Sequence, residues 1–67
     1  MTAAQFEQLE SPEAEAVLRW RFERLVEAGY DANSALIIAS HVEIDLREAA
    51  LLLEQGCTPE LALQIVL

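Results

Sequence analysis

Twelve carboxylates, one histidine and one cysteine are the groups that chemistry would draw on in this sequence. Acid–base catalysis needs carboxylates or an imidazole gathered in a desolvated cleft. Here the acids are spread from Glu7 to Glu60, at helix starts or in i,i+4 ladders with arginine such as Glu15–Arg19–Glu23 and Glu43–Arg47. That pattern reads as a solvated charged face. His41 follows a helix end, where a cation complements the dipole. Cys57 occupies a corner position matched by Tyr30 and reads as a buried filler, not a nucleophile. One cysteine and one histidine allow neither an internal disulfide nor an ordinary zinc cluster. The chain has no glycine-rich phosphate loop, no CxxC pair and no nucleophile elbow. No catalytic, cofactor-binding or metal-binding residue is expected, and the chain reads as non-enzymatic.

Charge narrows the partners. The net charge is −8, and all four cations are arginines, Arg19, Arg21, Arg24 and Arg47. Nucleic acid and anionic membrane surfaces are repelled, because affinity for either comes largely from cations meeting phosphates. No apolar run approaches the roughly 20 residues of a membrane span. The start, "MTAAQFEQLE", lacks the basic and apolar regions of a signal peptide, so the cytoplasm is the expected location. Arginine without lysine, in an alanine-rich chain, is the composition of a GC-rich, bacterial source.

The elements that hold these residues are legible from their punctuation. Helix formers dominate, so an all-α chain is expected. Thr2 with Gln5 has the form of a capping box and opens a short helix through Glu10. Ser11 as N-cap and Pro12 at the first helical position start a long helix that ends near Ala28, at Gly29. Asp31 caps a helix to about Ser40, and "HVEI" connects it to a second capping box, Asp45 with Glu48. That helix ends at Gly56, and Thr58–Pro59 open the last one. "LVEAGYDANSALII" and "LLEQGCTPELALQI" then say the same thing twice: sliding Leu25 onto Leu52 brings Gly29 onto Gly56, Ala35 onto Ala62 and Ile38 onto Ile65. The phrase encodes a tight helix–helix corner. Two copies make no solenoid. The expectation is one domain over residues 1–67: an N-terminal segment 1–10, a core of three helices over 12–55 arranged as a small orthogonal bundle, and a C-terminal helix over 58–67.

Periodicity assigns the faces. Ala14, Leu18, Phe22 and Leu25, flanked by Val17 and Val26, form the core stripe of the long helix. Trp20 lies on its far side, either covered by Phe6 and Leu9 or belonging to a contact surface, where tryptophan is enriched. Leu46, Ala49, Ala50 and Leu53 share one face, with Leu51 opposite and Leu52 on the flank. The last helix is apolar nearly all round, which a 67-residue monomer seldom covers. A homodimer contact through Leu63, Val66 and Leu67 follows.

From Leu25 to Leu53 the stretches "EAGYD", "SALIIA" and "DLREAALLL" resemble a ubiquitin-associated (UBA) domain. That family is a three-helix bundle with a Met-Gly-Phe/Tyr first corner and an Ala-x-x-Leu-Leu pattern in its third helix. The resemblance implies protein docking through the corner loop and the end of the third helix. Carried over, the patch comprises Ala28, Gly29, Tyr30, Leu51 and Leu52. Ala28 stands where the family has a long methionine, and the C-terminal helix lies beyond the pattern. The expected function is a protein-docking module that binds a protein partner or itself through an apolar patch rimmed by acid, with contacts at Trp20, Tyr30, Leu51 and Leu52. The alternative is a small acidic regulator, antitoxin- or inhibitor-like, that covers a basic site on its partner.

Overall fold

A computed structural model describes all residues, Met1–Leu67. Five helices form and no strand: α1 (Ala3–Glu7), α2 (Ser11–Ala28), α3 (Ala32–Ser40), α4 (Leu46–Glu54) and α5 (Pro59–Val66). α2 packs against α3 and α4, and α5 closes against α3 and α4. The result is a small all-α bundle. It is 36 Å long and 18 by 16 Å across, because the 18 residues of α2 alone run about 27 Å at 1.5 Å per residue.

Local chemistry explains the boundaries. Thr2 Oγ1 accepts from Gln5 N–H at 3.1 Å, and Gln5 Oε1 accepts from Thr2 N–H at 3.0 Å, so the predicted capping box is present. α2 departs from expectation: its N-cap is Glu10, which makes no side-chain cap bond, and Ser11 is already helical. Asp45 Oδ1 accepts from Arg47 N–H at 2.8 Å, but the return bond from Glu48 does not form. Asp45 is therefore a simple cap. Asp31 and Thr58 accept from Ser34 and Leu61 N–H at 3.1 and 3.2 Å, each three residues into its helix.

The core is small. Its completely buried members include Ala35, Ala49 and Ala62, whose single methyls let helix backbones approach closely, and its largest fully buried side chains are Leu25 and Ile38. The predicted stripe on α2 is half right. Leu25 is buried, but Ala14, Val17, Leu18 and Phe22 are half-buried, and Val26 is exposed. No residue of α1 or of the first turns of α2 is fully buried.

α3 ends without a glycine, and the reason is Arg21, which sequence reasoning counted only as surface charge. The residue is 5% exposed. Nε donates to Ala39 O at 3.1 Å, and Nη2 donates to Ile38, His41 and Ile44 carbonyls at 3.2, 2.9 and 3.0 Å. His41 Nδ1 meets Ile37 O at 2.8 Å. Three of the last four carbonyls of α3, orphaned by the end of the helix, are thus met by side chains. A cation at a helix C-terminus also faces the negative end of the dipole. Burial pulls the guanidinium below the usual arginine range, and Glu43 and Asp45 push it back up. One arginine so fixes where the His41–Asp45 connection runs.

Candidate functional site

That connection is the wall shared by two surface hollows. The first lies between α4 and α5 and has a volume of about 480 Å³. Its floor is Ile44, Leu51, Leu52, Ile65 and Val66; its rim is Glu43, Asp45, Glu48 and Gln55. The second, about 930 Å³, lies beside Trp20, between Met1–Gln5 and the segment from Glu43 to Arg47.

α4 supplies one stripe of the first groove. Glu48, Leu51, Leu52 and Gln55 follow i, i+3, i+4, i+7, so they share a side of the helix. The opposite stripe, with Ala49 completely buried, faces the core. α5 supplies Ile65 and Val66. Leu51 is 46% and Ile65 54% exposed. No titratable group lies on this floor, and no side-chain polar atom is buried without a hydrogen-bond partner. Nowhere are three or more His, Cys, Asp or Glu side chains placed so that they could hold a metal ion. The arrangement can bury alkyl groups and present carboxylates around them.

The predicted contact residues divide. Leu51 and Leu52 line the groove, Leu52 also packing against the core. Trp20 is 56% exposed at the second hollow, with Phe6 and Leu9 half-buried and not covering it. Ala28 is half-buried and packs against the core, and Gly29 is exposed. Tyr30 corrects the expectation. Its ring is 3% exposed and its hydroxyl donates to Ala49 O at 2.7 Å, so it joins α4 to the first corner and offers nothing to a partner. Burial, with a smaller push from Cys57, holds that hydroxyl above its ordinary range.

The C-terminal helix, expected to be uncovered by its own chain, is partly covered. Of α5 only Ala62 is buried; Leu63 and Val66 are half-buried against the core, while Leu61, Ile65 and Leu67 are exposed. Among the ladders, Glu15–Arg19 closes at 3.5 Å, Arg24 pairs with Glu27 at 3.0 Å, and Arg19–Glu23 and Glu43–Arg47 do not form. Ile44 and Ile65 are the floor residues absent from the expected contacts, and of the two Ile65 carried a signal. Its signal was the internal repeat, which matches it to the core residue Ile38.

No helix is long and apolar enough to cross a membrane. Comparison with protein-family models, with curated proteins and with solved structures gives no match.

Proposed function

We propose that this chain is a non-enzymatic protein-docking module whose working surface is the α4–α5 groove. The observation that carries the reading is the pair Leu51 and Ile65, each about half exposed, on neighbouring helices, with an alkyl floor between them. Completing the burial of each is worth about 1 kcal/mol, half the value of a full Leu or Ile side chain. So few anchors suit a weak, reversible contact.

The UBA-like resemblance belongs to this reading with its patch moved. Tyr30 turns inward, and the Leu51–Leu52 half works with α5 instead. A lone, half-buried free thiol at Cys57 suits a reducing compartment such as the cytoplasm. Self-association through Leu63, Val66 and Leu67 draws support from Leu67 alone, since the other two already pack on the core.

The test is affinity capture from an extract of the source cell, with the full chain and its Ile65→Gln variant as paired baits. Ile65 is exposed, so the variant keeps its fold. Proteins held by the parent at high salt and lost by the variant are expected. Identical sets on both baits contradict the reading, and retention that collapses with salt on both favours the acidic regulator.

A further inference from the structure

We infer that the α4–α5 groove receives about two turns of a basic amphipathic helix from a partner protein; this rests on the docking reading above. The shape argues for a helix. The α4 wall from Glu48 to Gln55 is about 10 Å long at 1.5 Å per residue, two helical turns. An extended peptide would need a strand edge to pair with, and this fold has none. A polyproline segment would need aromatic walls, and no aromatic side chain lines the groove. A phosphorylated or acidic peptide would need a cluster of arginines where this rim has carboxylates.

The chain also supplies its own template. At the first corner, between α2 and α3, the equivalent apolar positions are covered by later helices: α4 lies on α2 and α5 on α3. α4 does this with Ala49 on its inner face and Tyr30 bonded to its backbone. Ile65 is 54% exposed where its counterpart in the repeat, Ile38, is sealed. An amphipathic helix with apolar residues at i, i+3, i+4 and i+7 would cover it in the same way.

Charge chooses its sign. From His41 onward the carboxylates Glu43, Asp45, Glu48, Glu54 and Glu60 face Arg47 as the only arginine. Glu43, Asp45 and Glu48 stand on the rim and none forms an ion pair. A second copy would bring another −8 and the same three carboxylates to the contact. A helix with lysine or arginine flanking its apolar stripe meets them favourably.

Two stapled helical peptides of about 14 residues test this, sharing one leucine stripe, one flanked by lysine and one by glutamate. Each is titrated into the full 67-residue chain by NMR and by fluorescence anisotropy. The lysine peptide should bind about tenfold tighter, each of three exposed pairs giving a factor of about two. Its shifts should centre on Leu51, Leu52, Ile65 and Val66. The variant Glu43→Gln/Asp45→Asn/Glu48→Gln should erase most of that preference; asparagine at 45 keeps the α4 cap, so the fold persists. Equal or better binding of the glutamate peptide overturns the inference and leaves the docking reading standing. Binding of neither, with concentration-dependent self-association at the same residues, makes the occupant a second copy and also overturns it. Binding of neither by a chain that stays monomeric sinks both.

Discussion

At the first corner Tyr30 N–H donates to Leu25 O at 3.1 Å, and at the second Cys57 N–H donates to Leu52 O at 3.0 Å. Gly29 and Gly56 both take positive φ, +120° and +99°, in the region that favours glycine. Asp31 and Thr58 then cap the following helix in the same way, and Ala35 and Ala62 are both completely buried. The backbones are copies, yet the surfaces are not. Leu25, Tyr30 and Ile38 are sealed, whereas Leu52 and Cys57 are half-buried and Ile65 is open. A corner motif fixes the path of the chain; what the corner buries depends on how the other helices pack against it. α4 packs on α2 and α5 on α3, yet that packing seals Ile38 and leaves Ile65 54% exposed.

The largest effect should come from removing the clamp at the end of α3, the helix that follows the first corner. Arg21→Met breaks charge-assisted bonds of roughly 1.5–3 kcal/mol each and strips buried carbonyls of their donor. The loss should rival the roughly 3–5 kcal/mol that a domain this size can hold, leaving a largely unfolded chain by circular dichroism.

Next comes the matched pair Ile38→Ala and Ile65→Ala. Ile38 is completely buried, so its truncation should cost about 3 kcal/mol in urea unfolding. Ile65→Ala should cost no more than about 0.5 kcal/mol, as at other open surface positions. Equal costs would mean that the second corner is as covered as the first.

Gly29→Ala and Gly56→Ala sharpen the comparison further. Both force an L-residue into positive φ, at about 1–2 kcal/mol. A Cβ at Gly29 also meets Leu53 Cδ1 at 3.3 Å, while one at Gly56 meets nothing within 4 Å. The Gly29 variant should therefore be the less stable by about 0.5 kcal/mol, a few degrees in Tm.

These contrasts mark how far the sequence could be read. Glycine stops and caps act within four residues of themselves, so the corners, the five helices and the outward side of Leu51 were legible. Arg21 was not, because its four acceptors lie 17 to 23 residues away and a charge inside a helical pattern reads as surface. Tyr30 failed for the same reason: its partner, Ala49 O, lies 19 residues on. Ile65 was not legible either, because its exposure depends on how α5 seats against α3 and α4, which no local signal states.

The smallest effects are in pH. The unfolded chain gives up the tyrosine proton first as pH rises, because Tyr30 is held above its ordinary 10.0 in the fold. Its contribution to stability is whole below pH 10.0 and declines as pH climbs beyond it. At the acid end the Ser34 N–H holds Asp31 below its ordinary 3.8. That contribution is whole above pH 3.8 and is lost as pH falls through the lower folded value. Thr58 does not titrate. Acid should therefore loosen the start of α3 and spare the start of α5, read from the Ser34 and Leu61 amide signals in NMR titrations.

The difference between the corners is measured most directly by thiol labelling. In a Cys57→Ala background, Ile65→Cys places one reactive group at the open position, and its modification rate is followed from dilute to concentrated protein. A rate near that of the urea-unfolded chain, unchanged with concentration, is the predicted result. Strong protection in the dilute folded protein would contradict the account, because it would mean that the chain closes the groove by itself.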